Sequence, residues 1–305
     1  MTFGKRGERA LLGTIGIVAT GEMGSAIGAA LARRGYRVVT DLTGRSAASR
    51  ALAELASVED VGSLHALAES AEIILSIVPP AVAPDLARRA SAALAATGAR
   101  PVFVDCNAVA PATAAAIAES FAALGSPFVD AGIVGPAPRA DRPPTRLYVS
   151  GDARAVLLEL GVPEITVIDL GAAVGDASAM KMCYAALNKG VDALLTTVLL
   201  AAEQLGVRAP LMTELASSQP DAAARAARRV PVLAATSQRY APEMREIAAT
   251  FAGAGVTPDF HRAAEWLYEV LARSALAHET RLTAPPDRSL DEALAAFLDA
   301  LEPRR

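Results

Sequence analysis

The sequence predicts an α/β fold, a doubly wound parallel sheet, followed by an all-helical region headed by one long interdomain helix. Three observations predict it. Short apolar runs alternate with alanine-rich helical stretches from Gly13 to Leu170, the pattern of parallel strands joined by crossover helices. After Ala172 no convincing strand pattern remains. The segment Gly175–Gly206 reads as a single helix, roughly 45 Å long at 1.5 Å per residue.

The strands expected first are Thr14–Ala19, Tyr36–Leu42, Glu72–Val78, Pro101–Cys106 and Ser126–Ala131. Helices Met23–Arg34, Ala47–Leu55, Leu64–Glu69, Val82–Ala95 and Ala112–Ala123 fall among them. Pro79-Pro80 and Pro111 sit just past strand ends, at helix entries, where a missing N–H matters little. A Pro/Gly-rich loop, Gly132–Thr145, leads to two more strand-like runs, Arg146–Ser150 and Glu164–Leu170. Beyond the long helix, Asp221–Ala235, Pro242–Ala254, Pro258–Ala277 and Ser289–Leu301 are helical by pattern. The expected organisation is a loose tail over 1–12, an α/β domain over 13–170 and a helical domain over 171–305.

Composition narrows the function. The chain has 305 residues, 52% of them hydrophobic, which excludes a disordered chain. The net charge is −4, and the arginines come in short pairs without a basic stripe, which argues against nucleic acid as a partner. Cys106 and Cys183 make neither a disulfide framework nor a zinc pattern, so a reducing cytoplasm is the default location. His65, His261 and His278 share no metal-ligand spacing, and no metal is expected. His261 is expected to be packed or exposed rather than catalytic, and Cys106 to be a small core residue. No unbroken apolar run reaches the roughly 18 residues of a membrane span. Lys5, Arg6 and Arg9 ahead of Leu11–Thr20 imitate a signal peptide, but a first strand explains that stretch better. One count is unusual. Of 29 basic residues only three are Lys: Lys5, Lys181 and Lys189. A position that keeps lysine in such a chain points to a need for an ammonium.

The first expected strand runs into Ala19-Thr20-Gly21-Glu22-Met23-Gly24. This is a dinucleotide-binding loop with its first glycine replaced by alanine. Gly21 lets a pyrophosphate approach the backbone, Gly24 lets the helix pack near the strand, and the helix N-terminus receives the phosphate. Thr20, Gly21, Glu22, Met23 and Gly24 are therefore the candidate cofactor loop. An acidic residue at the end of the second strand selects NAD through the ribose, whereas a nearby arginine favours the 2′-phosphate of NADP. Asp41 falls inside the expected strand, while Arg45 and Ser46 lie at the loop and helix start. NADP is thus the expected cofactor, with NAD as the alternative.

On the long helix, Lys181, Tyr184, Ala185, Asn188 and Asp192 share one face at 100° per residue. The rest of the segment is mostly apolar, and polar groups there need partners. A lysine that loses solvation becomes useful for proton transfer, which arginine cannot match because it stays protonated. Lys181 is the candidate catalytic residue. Lys189 lies about 80° around the helix from it and has no assigned role.

Together these residues resemble the β-hydroxyacid dehydrogenase and 6-phosphogluconate dehydrogenase superfamily, over nearly all of Gly13–Leu301. Gly16–Gly24 is similar to the family's glycine motif. Val104-Asp105-Cys106-Asn107-Ala108-Val109-Ala110-Pro111 and Phe128-Val129-Asp130-Ala131-Gly132-Ile133-Val134-Gly135 look like its two substrate loops. Gly175 through Lys181 resembles the approach to its catalytic lysine. Lys181–Ala186 with Lys189-Gly190, and the later Glu243–Gly255 and Phe260–Tyr268, resemble a subfamily with a short DUF1932-type helical C-terminal domain. The sequence departs from the pattern at Ala19, Asn107, Val134, Ala185 and Asn188. These changes keep the hydride-transfer frame but remove much of the family's carboxylate-binding chemistry.

The resemblance implies a Rossmann-like first domain and an NADP-dependent oxidoreductase acting on a small hydroxy or oxo compound. Lys181 would act as general acid or base, with Asn107, Tyr184 and Asn188 orienting substrate. The nicotinamide would lie near Val78, Pro79 and Asn107. A homodimer through the helical domain is also implied, and the long helix needs covering for the same reason. The rival is a non-catalytic NADP-binding sensor or interaction protein on the same fold, or an enzyme like the imine reductases. Retention of the lysine favours carbonyl and alcohol chemistry over the last.

Overall fold

The computed structural model describes residues 13–280 and 283–301. The expected tail at 1–12 lies outside the described residues. The chain divides into two compact units, the division falling after Lys181, inside the long helix rather than ahead of it.

The first unit begins β1 (Thr14–Val18), α1 (Glu22–Arg34), β2 (Arg37–Thr40), α2 (Ala47–Leu55), β3 (Glu59–Asp60), α3 (Leu64–Ser70) and β4 (Ile73–Ser76). It continues α4 (Ala83–Thr97), β5 (Val102–Asp105), α5 (Pro111–Ala122), β6 (Phe128–Val134), β7 (Thr145–Ser150), α6 (Ala155–Leu158) and β8 (Ile165–Asp169). The eight strands among the described residues form one sheet in the order β3-β2-β1-β4-β5-β6-β7-β8. All neighbours are parallel except β6 and β7, which run antiparallel. The chain winds outward from β1 to β3, then returns to β4 on the other side of β1. That reversal opens a crevice at the carboxyl ends of β1 and β4, where such sheets bind ligands.

Both faces of the sheet are covered, which explains why the strands read as continuous apolar runs. Ile15, Ile17, Val104 and Val129 pack with Leu31 of α1, Ala53 of α2 and Leu157 of α6. Ile74, Phe103 and Phe128 pack on the opposite face with Leu67 of α3, Leu94 of α4 and Phe121 of α5. The Phe103 and Phe121 rings stack 4.2 Å apart. β3 escaped the sequence analysis because its two residues are exposed acids with no apolar run. β6 extends past the expected Ala131 to Val134, and all seven of its residues are buried.

The helix α7 (Asp176–Gln204) crosses the division. By length and composition alone it could cross a membrane, with mean hydropathy 1.3 over its most apolar window, but half of that window is buried inside the protein. The second unit holds the rest of α7, then α8 (Arg208–Ser218), α9 (Pro220–Arg229), α10 (Ala234–Gly253), α11 (Asp259–Leu271) and α12 (Leu290–Asp299). Leu233, Met244, Leu267, Tyr268 and Phe297 form its interior. The expected helix over Asp221–Ala235 is broken by a 3-10 turn at Val230–Val232, where Pro231 has no N–H to continue an α-helical ladder. α10 starts before Pro242 and carries that proline inside it. α8 has no buried residue and so left no apolar pattern to find. At α12, Ser289 and Glu292 form a capping box.

Candidate functional site

The glycine loop joins β1 to α1 at the crevice. Gly21 is the N-cap of α1, and no side chain caps that end. In contrast, Ser46 caps α2 and Ser63 caps α3. The positive end of the α1 dipole thus carries no N-cap side chain, and a helix N-terminus of this kind favours an anion. The two glycines differ in kind. Among the described residues a Cβ on Gly21 would meet nothing within 4 Å, whereas one on Gly24 would lie 2.0 Å from the Ala19 carbonyl oxygen. Gly24 therefore serves helix–strand packing, and Gly21 leaves open space in front of the loop. Gly28, one turn on, also packs tightly, with Val58 Cγ2 2.8 Å from where its Cβ would be. These features fit a nucleotide pyrophosphate. Thr20 is buried, and its hydroxyl donates to the Ser49 carbonyl at 3.0 Å. It ties the loop to α2 and does not offer its oxygen outward. Glu22 is exposed and Met23 half-buried.

At the end of β2 the structure corrects the sequence argument. Asp41 lies just past the strand, not within it, and its carboxylate accepts from Thr43 N at 2.9 Å. That is the ribose position of the general pattern. Ser46 is taken up as the α2 cap, accepting from Ser49 N at 3.2 Å, so its hydroxyl is not held out for a phosphate. Arg45 remains beside the α2 N-terminus.

After β4, Val78 and Pro79 form the other lip of the crevice. The Val78 N–H donates to Asn107 Oδ1 at 2.7 Å, and Asn107 Nδ2 donates to Ser76 Oγ at 2.9 Å. Asn107 is 3% exposed. Its amide clamps the loop after β5 to the loop after β4, a different use from the substrate contact expected of it. Asp105, the last residue of β5, is buried. Its Oδ1 accepts from Asn107 N at 2.9 Å, while Oδ2 is buried with no hydrogen-bond partner among the described residues. Burial pushes its carboxyl up to about 7, and neighbouring Asp130 pushes the same way, against the pull of Lys181. Burial also pushes the Cys106 thiol up, as for an inert core cysteine.

Lys181 sits where β6 meets the start of α7. Its Nζ donates to the Ile133 carbonyl at 2.7 Å. Two residues of β6 set this meeting. Asp130 accepts from Gly175 N at 3.0 Å, Ser178 N at 2.9 Å, Ser178 Oγ at 2.6 Å and Ser150 Oγ at 3.1 Å. Burial raises its pKa and these hydrogen bonds lower it, the former prevailing. A Cβ on Gly132 would lie 2.8 Å from the Ala177 carbonyl oxygen and 3.0 Å from Lys181 Cβ, so the helix rests directly on the strand. Asp105, Asp130, Ser150 and Ser178 were not among the expected site residues. The available signal was a charged residue inside an otherwise apolar strand.

The other residues of the expected polar line belong to the second unit. Tyr184 is 42% exposed. Asn188 Nδ2 donates to the Tyr184 carbonyl at 3.0 Å, and its own carbonyl accepts from Arg225 at 2.7 Å. Asp192 is buried between Arg225 and Arg229, at 2.7 and 3.1 Å. These contacts fasten α7 to α9. Lys189 pairs with Glu243 at 2.8 Å, lies 4.8 Å from the Tyr240 ring centre, and offers its carbonyl to the Tyr268 hydroxyl at 2.8 Å. His261 is packed, 4.2 Å from the Phe251 ring, and burial lowers its pKa. Among the described residues no three His, Cys, Asp or Glu converge as a metal site.

Comparison with known proteins agrees with this architecture. Residues 14–158 match the NAD binding domain of 6-phosphogluconate dehydrogenase, and residues 202–271 match DUF1932, a domain of unknown function. A conserved hypothetical protein from Sinorhizobium meliloti is 27% identical with a TM-score of 0.65, covering 96% of this chain and 98% of its own. A conserved protein of unknown function, described as structurally similar to 3-hydroxyacid dehydrogenases, is 28% identical with a TM-score of 0.64, covering 85% and 96%. The 3-hydroxyisobutyrate dehydrogenase of Mycobacterium tuberculosis, solved with L-serine, shares the fold at 19% identity and a TM-score of 0.66, over 93% and 99%. With a glycine loop at the switch point, a lysine at the start of the long helix and both domains matched in order, the chain belongs to the β-hydroxyacid and 6-phosphogluconate dehydrogenase superfamily, in the branch that carries a DUF1932 domain.

Proposed function

We propose that this protein is an NADP-dependent oxidoreductase that moves a hydride between the nicotinamide and a small hydroxy or oxo compound. The observation that carries the proposal is the placement of Lys181, an amine held by the Ile133 carbonyl at the sheet end where the family pattern puts proton transfer. When bound, the nicotinamide supplies the hydride acceptor or donor. The chain supplies the rest. The N–H groups opening α1, from Gly21 to Gly24, hold the pyrophosphate. Val78 and Pro79, braced by Asn107, would line the nicotinamide side of the site. In oxidation Lys181 takes the hydroxyl proton as the carbon loses its hydride. In reduction it returns that proton to the carbonyl oxygen.

The preference for NADP now rests on Arg45 beside the start of α2, since Asp41 stands at the strand end and Ser46 serves the cap. The test is a titration of NADPH and NADH against wild type and Lys181→Ala, followed by a screen of small aldehydes, ketones and hydroxy acids. The proposal expects both proteins to bind NADPH alike and only wild type to turn over. Tighter binding of NADH than NADPH would overturn the role of Arg45. Cofactor binding without turnover of any substrate would favour a sensor.

The same proposal includes a homodimer through the helical unit. Tyr184, Leu187, Leu194 and Val198 are exposed on α7, with Val191 half-buried between them. Their steps of three and four residues make a seam of coiled-coil spacing, which fits another helix and is met by the same seam on a second copy.

A further inference from the structure

The four hydrogen bonds to Asp130 do not serve the strand that carries it. Three of them come from Gly175 and Ser178, at the entry to α7. The fourth comes from Ser150, whose own oxygen accepts from Ala177 N at 3.1 Å. The N–H groups that a helix start leaves without partners are here taken by side chains of β6 and β7. The carboxylate also lies at the positive end of the helix dipole, where a negative charge is favoured. Lys181 follows Ser178 by three residues, on the same side of the helix. Its ammonium reaches Ile133, three residues beyond Asp130 on the same strand. Strand and helix are thus pinned twice, at 130 with 178 and at 133 with 181, with the bare backbone of Gly132 pressed between them.

We propose that Asp130 is a positioning residue for proton transfer: by gripping the first turn of α7 it fixes where the Lys181 amine stands. It touches no reacting atom and acts through the lysine. The inference rests on the reading of Lys181 as the proton-transfer group, but its test needs no substrate, so the two can fail separately.

The scarcity of lysine provides the measurement. Reductive methylation with formaldehyde and a borane, read by peptide mass spectrometry, reports Lys181 and Lys189 individually in the full chain. Lys189, paired with Glu243 in the other unit, is the internal control. In Asp130→Asn the carboxylate is lost and an amide N–H faces the helix N–H groups. The methylation rate of Lys181 should rise about tenfold while that of Lys189 is unchanged. Ser178→Ala removes only the hydroxyl arm and should give a rise of about threefold. If Asp130→Asn does not fold, Ser178→Ala decides by the same readout. An unchanged Lys181 rate in a folded variant overturns the proposal, as does an equal rise at both lysines, which would mark a general loosening.

Discussion

Asp105 and Asp130 stand side by side in register on β5 and β6, two carboxylates both almost wholly buried. They are not equivalent. Asp130 is surrounded by donors, whereas one oxygen of Asp105 has none. Burial holds the Asp105 carboxyl at about 7, far above its usual value, so the folded protein keeps a proton that the unfolded chain releases. Stability from this group is fully present below about pH 4 and is lost as pH rises toward 7. Asp130 is shifted in the same direction. Asp105→Asn should flatten the decline of the denaturation midpoint between pH 4 and 7. At pH 8 it should leave the variant more stable than wild type, by on the order of 4 kcal/mol at most. An unaltered slope in urea titrations across that range would refute the assignment.

The two loop glycines should separate folding from binding. Gly24→Ala drives a methyl into the Ala19 carbonyl and should destabilise by about 3 kcal/mol or more. Gly21→Ala meets no neighbour, so its thermal midpoint should match wild type. Its methyl enters the space where we propose that the pyrophosphate binds, and NADPH affinity should fall about tenfold or more. Calorimetry and fluorescence titration of the same two proteins check both halves.

Lys189 should matter for stability and not for the cofactor. Its side chain and that of Glu243 are 14% and 6% exposed. Removing Lys189 takes the 2.8 Å ion-pair partner from a buried carboxylate that keeps Arg239 at 3.5 Å, at a cost of about 3 kcal/mol at most. Lys189→Met should therefore lower the guanidinium midpoint while leaving NADPH affinity unchanged.

The exposed seam of α7 should be sensitive to charge. Leu187 and Leu194 are 67% and 49% exposed in the single chain. Leu187→Asp with Leu194→Asp should convert the proposed dimer to a monomer in sedimentation velocity. The wild type sedimenting as a monomer at the same concentration would remove the basis for the seam.

Much of the first unit was legible because its signals are local. Gly21 and Gly24 lie within one loop, and the apolar runs of β1, β4 and β5 announce a sheet covered on both sides. Lys181 was legible through its rarity. What stayed hidden depends on partners far along the chain. Asp130 meets Ser178 across 48 positions, and Asn107 meets Val78 across 29. No spacing rule connects such pairs. Asp41 was misplaced because a strand's last residue is set by hydrogen bonds to a neighbour, not by apolar pattern. The face of α7 bearing Lys181, Asn188 and Asp192 was visible as a helical stripe. That Asp192 would be closed off by Arg225 and Arg229 was not, since those arginines lie on an alanine-rich helix whose docking only the fold decides.

Gly132 adds a constraint of another kind. With the Ala177 carbonyl and the Lys181 side chain both within van der Waals distance of any side chain it might gain, no single change at 132 can be absorbed by moving a flexible neighbour. A descendant of this protein that acquires even alanine there must shift the helix in the same step or lose the geometry of its lysine. The β6–α7 contact is therefore closed to any single substitution at 132 that leaves the helix where it stands. Relatives that differ in what they transform should still meet at that one crossing with the same missing side chain.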